Sequence, residues 1–369
     1  MNRRETERIL EAIRSVRARG ERAALATVVR VRGSAYRREG ARILVRQDGS
    51  YECVLSGGCL EPAVADAAAR VITTGIPVLA RYDLEDDSVW SLGIGCSGAV
   101  DIFIERLEDD AITSAWMDVL ENGEPAVLVK DLAGSGGRLL VREDRFLGAL
   151  GAATLESEAV ARARSMLLAR FPQSESGRID GTELFYDVSA RPPELVLFGA
   201  GYDAVPLAQQ AWTLGSDVTV VDVRDAFLTA NRFPHATRVA AHFSHFPDAV
   251  RLTGRSFVVI MNHHLERDRE CLRFALGSDA PCIGVLGPRS RYRKLLHALE
   301  AEGVVFDPAV LSRVRSPVGL ALGAETPEEI AVSILGEMLA LQRGFDGGFL
   351  AGREASLHRP AESSAFARS

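Results

Sequence analysis

The chain has 369 residues, 47% of them apolar and 25% charged, with 43 Lys and Arg against 50 Asp and Glu. At roughly 150 residues per domain this length suggests two domains, each able to bury a core without a disulfide framework. The net charge of −7 argues against a nucleic-acid binder, which carries a basic stripe. No apolar run approaches the roughly 18 residues of a membrane span.

The opening MNRRETERIL has no apolar h-region, so no secretory signal is expected. The five cysteines include no C-x-x-C pair, which fits free thiols in a reducing cytoplasm and no structural zinc. Lys130 and Lys294 are the two lysines among the 43 basic residues, so arginine abundance alone carries no information about phosphate binding.

Ile9, Ile13 and Val16 place Glu5 to Arg19 on an amphipathic helix stopped by Gly20. Ala24 to Arg32 and Ala41 to Arg46 read as strands around the turn Gly33 to Gly40. SGGCLEP, Ser56 to Pro62, leads into an Ala-rich helix ending near Thr73, with Pro62 in its first turn. Val78 to Tyr82 and Ala99 to Ile104 are further strands flanking a second glycine turn, Gly93 to Gly98, and strand pattern continues at Ala126 to Val129 and Arg138 to Val141. Pro172 to Pro193 is polar and turn-rich and reads as the linker, with Leu184 to Val188 the alternative last strand of the first domain.

Beyond it, the apolar strands Leu195 to Phe198, Val218 to Val221, Phe257 to Met261 and Cys282 to Leu286 alternate with helical stretches, which predicts βαβ units and a parallel sheet. Thr326, Pro327 and Glu329 spell a capping box at the start of a last helix. The expected fold class is α/β: a mixed α+β domain over residues 1–188, a Rossmann-like parallel-sheet domain over 189–343, and a disordered tail over 344–369.

GAGYDA, Gly199 to Ala204, matches G-x-G-x-x-G/A between an apolar strand and a helix. In a dinucleotide site Gly199 allows the tight turn, Gly201 admits a phosphate, Ala204 lets the helix pack closely, and Asp222 at the end of the next strand accepts from a ribose hydroxyl. A packing turn that holds nothing accounts for the same residues. Gly93, Gly95 and Gly98 repeat the spacing but precede a strand, so they are not read as a fingerprint. His263 or His264, at another strand end, suits ligand orientation or proton transfer, and Arg289 and Arg291 suit a phosphate; capping and solvated first-turn positions are the plainer readings.

Cys59 and Cys96 lie in the Gly-rich loops SGGC and GCSG. Cys59 also opens a helix, where the dipole and a nearby Arg37 or Arg38 favour a thiolate able to meet a soft metal, accept sulfur or attack an electrophile. A small buried side chain in a tight turn is the alternative for both. Cys53, Cys271 and Cys282 read as core, and Glu61 as a helix-start acid or a general base.

GSAYRREGARILV, LSGGCLE, GIGCSGAVDIFIE, LVLFGAGYDA, VTVVDVR, RFPHA, MNHHLERD, IGVLGPRSR and SPVGLALGAETPEEIAVSI occur in this order from about Ala26 to Arg343. On these motifs the chain resembles the XdhC/CoxI family of accessory proteins for molybdenum hydroxylases. Tyr202, Asn262 and His264 stand where the family more often carries His, Thr and Asp. The resemblance implies a cytoplasmic chaperone that binds molybdenum cofactor, shields it during sulfuration and inserts it into a xanthine dehydrogenase-type client. Cys59 and Cys96 would handle cofactor or sulfur, and Gly199, Gly201, Ala204, Asp222, His263 and Arg289 would bind the cofactor. It implies a client hydroxylase and a cysteine desulfurase as partners; a homodimer is expected only as the commonest assembly, and charge and hydropathy predict no nucleic acid and no membrane. The competing reading is an NAD-dependent oxidoreductase that uses Gly199, Gly201 and Asp222 for NAD and a crevice histidine for proton transfer.

Overall fold

The computed structural model describes residues 3–33, 35–83, 98–169 and 172–351, and the chain divides into two compact units, Met1–Arg191 and Pro192–Ser369. The first unit opens with α1 (Arg3–Arg19), which buries Ile9, Leu10, Ile13 and Val16 along one stripe. β1 (Ala23–Gly33), β2 (Arg42–Arg46) and β3 (Tyr51–Glu52) precede α2 (Glu61–Thr74), and β4 (Val78–Asp83) and β5 (Gly98–Arg106) follow it. These strands pair antiparallel in the order β3-β2-β1-β5-β4.

After α3 (Ala111–Asn122) come β6 (Ala126–Asp131), β7 (Arg138–Val141), β8 (Phe146–Ala149), α4 (Ala153–Leu168), β9 (Glu175–Ile179) and β10 (Thr182–Ser189). They build a second antiparallel sheet, β8-β7-β6-β10-β9. Val29 and Phe103 of the first sheet share a buried cluster with Phe185 of the second and Leu132 beyond its β6. Two ion pairs cross the same seam, Lys130 to Glu105 at 2.6 Å and Arg42 to Asp187 at 2.9 Å.

Residues 172–189 are therefore not the linker their composition suggests; the alternative, Leu184 to Val188 as the last strand of the first domain, is the one observed, and the units join near Arg191 and Pro192. The polar residues lie on the edge strand β9 and in its turn, while Leu184, Phe185, Tyr186 and Asp187 of β10 are buried. Asp180 (φ 46°) and Gly181 (φ 84°) make the hairpin turn with two consecutive left-handed residues, the conformation that matches strand twist and favours Asp-Gly.

The second unit runs β11 (Glu194–Phe198), α5 (Ala204–Thr213), β12 (Asp217–Asp222), β13 (Thr237–Ala240), α6 (Phe246–Ala249), β14 (Ser256–Ile260), α7 (Leu265–Leu276), β15 (Cys282–Val285), α8 (Arg289–Ala301), α9 (Pro308–Leu311), β16 (Val314–Arg315) and α10 (Pro327–Arg343). Its six strands are parallel, ordered β13-β12-β11-β14-β15-β16. Leu195, Val196, Leu197 and Phe198 of β11 are all buried, as a parallel strand covered on both faces requires. The expected fold class, antiparallel-sheet α+β followed by a Rossmann-like parallel sheet, is the one observed.

Because β12 and β13 lie on one side of β11 and β14 to β16 on the other, the carboxyl ends of β11 and β14 flank the topological switch point, where open α/β sheets form a crevice. α10 starts at the expected capping box: Glu329 N donates to Thr326 Oγ1 (3.3 Å) and Thr326 N to Glu329 Oε2 (3.2 Å). Of the expected tail over 344–369, residues 352–369 lie outside the described residues. No described helix is long and apolar enough to cross a membrane.

Candidate functional site

In the first unit the SGGC loop is built around one hydroxyl. Ser56 Oγ accepts from the backbone N–H groups of Gly58 (3.3 Å), Cys59 (3.1 Å) and Leu60 (3.0 Å). The Cys59 thiol also donates to it, at 3.2 Å. Ser56 in turn donates to Glu61 Oε2 at 2.6 Å, while Glu61 Oε1 accepts from the N–H groups of Leu55 and Ser56, both at 2.8 Å.

Glu61 is wholly buried at the start of α2. Burial pushes its pKa up, but the Ser56 hydroxyl and the two N–H groups more than compensate and hold it below its ordinary value. It is thus a loop organiser, neither a solvent-facing base nor only a helix-dipole acid. Gly57 and Gly58 are exposed, and a Cβ on either would point into open space. Only the φ of 108° at Gly58 calls for glycine there. The half-buried Cys59 thiol therefore stands beside accessible backbone.

The arginines expected to flank it are committed elsewhere. Arg37 pairs with Glu5 of α1, and Arg38 with Glu39 at 3.1 Å. Cys53 is buried in the left-handed region (φ 69°), and burial raises its pKa. Cys96 and its loop glycines Gly93 and Gly95 lie outside the described residues.

In the second unit the glycine turn joins β11 to α5 at the switch point. A Cβ on Gly199 (φ 118°) would lie 2.6 Å from the carbonyl oxygen of Met261, just past β14, so this glycine lets two chain segments touch. Asp203 caps α5, its Oδ1 accepting from Ala204 N at 3.1 Å. Its Oδ2 lies 2.8 Å from His263 Nε2. His263 is exposed and holds a φ of 56°, unusual for a residue with a Cβ.

Asp222, at the end of β12, accepts from Ala200 N (2.7 Å) on one oxygen and Arg224 N (2.8 Å) on the other, while the Arg224 guanidinium grips both, at 2.9 and 2.8 Å. Burial alone would raise its pKa; the guanidinium and the two N–H groups hold it below the ordinary value.

Neighbouring groups fix the crevice rim. Arg232 donates to Gly201 O (2.9 Å) and Phe227 O (2.7 Å), with the exposed Tyr202 ring 5.7 Å from its guanidinium. The buried Asp268 accepts from Asn262 N and Nδ2, each at 3.1 Å, and pairs with Arg291 at 2.5 Å. Arg291 is thereby spent, whereas Arg289 is exposed at the start of α8. His264 caps α7, its Nδ1 accepting from Arg267 N at 3.5 Å. Among the described residues no group of three His, Cys, Asp or Glu side chains could hold a metal ion.

Two family models match: the XdhC Rossmann domain over residues 195–338 and the XdhC and CoxI family over residues 16–83. A Bacillus subtilis protein described as a probable xanthine dehydrogenase subunit is 33% identical over 332 residues, 88% of this chain and 94% of its own. The chain belongs to the XdhC and CoxI family. Another relative, the Escherichia coli molybdenum cofactor insertion chaperone PaoD, is 23% identical over 88% of this chain and 84% of its own. A crystal structure of a xanthine dehydrogenase from Bacillus halodurans superposes with a TM-score of 0.73 at 28% identity, covering 94% of this chain and 98% of that one.

Within this XdhC and CoxI family chain, the switch point brings Gly199, Gly201, Ala204, Asp222 and His263 to one rim. Sequence reasoning missed Ser56, Asp203 and Arg232. Asp203 stands just before the first helical residue, where an Asp cap is expected, so a signal for it was present. Arg232 opens the RFPHA motif, but it reaches Gly201 from 31 positions away, so the motif marks the residue and not the contact.

Proposed function

We propose that this chain is an accessory protein that carries molybdenum cofactor as cargo and inserts it, in sulfurated form, into a xanthine dehydrogenase-type molybdenum hydroxylase. The observation that carries the reading is the match, along 88% of the chain, to a relative named as a molybdenum cofactor insertion chaperone. The residues suit the cargo chemically. Cys59 offers a soft sulfur donor beside open backbone, and the second unit, taken by itself, offers the exposed Arg289 as a cation for a phosphate. The glycine turn and Asp222 then shape the rim rather than contact the cargo. A cysteine desulfurase as sulfur source, a cytoplasmic setting and a homodimeric carrier belong to the same proposal.

The test is co-expression of a client hydroxylase with the wild-type chain, with Cys59→Ser, and with no accessory chain. Molybdenum content and activity of the purified client are then measured. Full loading with wild type, reduced loading with C59S and poor loading without the chain are expected. Equal loading in all three would remove the accessory role.

A further inference from the structure

We propose that Asp203, clamped by His263, is a specificity-determining residue that closes the glycine turn of the second unit to the pyrophosphate of a dinucleotide. In a dinucleotide site the turn keeps free three things: space over its glycines, the helix N-terminal N–H groups, and an acid for the ribose. Here each is used by the protein itself.

Space over Gly201 is taken by the Asp203 carboxylate, since a Cβ there would lie 2.5 Å from Oδ1. Space over Gly199 is taken by backbone, 2.6 Å from Met261 O. The first N–H of α5 already donates to Asp203, 3.1 Å away. The second oxygen of Asp203 cannot swing clear without giving up His263 Nε2 at 2.8 Å. The residue just before His263 is anchored, since Asn262 N and Nδ2 both donate to Asp268. Asp222 has four donors on its two oxygens and a side chain closed to solvent, so a ribose hydroxyl finds no free acceptor.

A phosphate entering this turn meets a fixed like charge at contact distance, where the geometry would otherwise supply attraction. Like charges at such range disfavour binding strongly in a partly desolvated site. The carboxylate thus selects against the anion that the motif, taken from sequence alone, would be expected to bind. This role of Asp203 is independent of the accessory function, because the probe below is not the cargo.

The experiment titrates NADH, followed by its fluorescence, into the full-length wild type, Asp203→Asn, Asp203→Ala and His263→Gln. Asp203→Asn keeps a capping oxygen and guards against a folding failure, and melting curves accompany each titration. Wild type should show no saturation up to about 1 mM, and both Asp203 variants should bind at least about tenfold tighter. His263→Gln, which loosens the clamp but leaves the negative charge, should gain less than the Asp203 variants. Saturable micromolar binding by wild type would overturn the proposal. So would folded Asp203 variants that bind no better than wild type, and a His263→Gln variant with no gain at all would overturn the clamp.

Discussion

The Ser56 hydroxyl donates a 2.6 Å hydrogen bond to the buried carboxylate of Glu61 while accepting three backbone N–H groups of the loop that carries Cys59. The loop conformation therefore hangs on one acid outside it. Glu61→Ala should orphan the N–H groups of Leu55 and Ser56 and cost about 2–4 kcal/mol. Glu61→Gln, which keeps an acceptor oxygen, should cost about 1–2 kcal/mol. Urea unfolding measures both losses. Alkylation of Cys59 should quicken in the alanine variant under native conditions, and an unchanged rate would show that the loop holds its shape without the acid.

Glu61 and Asp222 both have folded pKa values held below their ordinary ones. A depressed carboxylate contributes stability that is fully present above the unfolded pKa and is lost as pH falls through the folded one. Stability should therefore be level near pH 6 and fall once pH drops below about 4. Glu61→Gln and Asp222→Asn should be less stable than wild type near neutrality and should lose less on acidification. Urea midpoints across this range check the sign, and a variant with an unaltered acid limb would show that its carboxylate does not contribute.

Two glycines with motif-like surroundings should respond oppositely to alanine. At Gly199 the added Cβ meets Met261 O at 2.6 Å on a backbone of φ 118°, so Gly199→Ala should cost about 2–4 kcal/mol. At Gly57 nothing lies within 4 Å, so Gly57→Ala should change stability by less than about 0.5 kcal/mol. Thermal melts of the pair separate a packing glycine from a solvent-facing one.

These contrasts also mark what the sequence could convey. The parallel sheet was legible because β11 and β14 carry the short apolar runs Leu195 to Phe198 and Phe257 to Ile260, followed by helical periods, and the capping box at Thr326 is a local pattern with a local cause. The two-sheet plan of the first unit was not. The alternation of β9 is masked by its edge position, and the residues that join the sheets, Val29 with Phe185 and Arg42 with Asp187, are far apart in the chain. At the site, position was legible and occupancy was not. GAGYDA locates the turn, but that Asp203 fills it and that Ala200 and Arg224 consume Asp222 are matters of rotamer and neighbour.

The buried pair Arg42 and Asp187 tests how the two sheets of the first unit are held together. The side chains are 4% and 1% exposed, 2.9 Å apart, and each keeps one polar atom, Arg42 Nη1 and Asp187 Oδ2, without a partner. The Arg42 guanidinium also sits 5.1 Å from the Trp116 ring. Removing one partner strands the other charge in a site that cannot hydrate it. Asp187→Ala should therefore cost about 3–5 kcal/mol, more than the loss of a surface pair. Replacing both, as Arg42→Met with Asp187→Leu, removes the stranded charge along with the desolvation cost of the pair, and should recover most of that loss. A double variant as unstable as the sum of its single variants would mean that the two charges act independently, with the seam held by the apolar cluster alone.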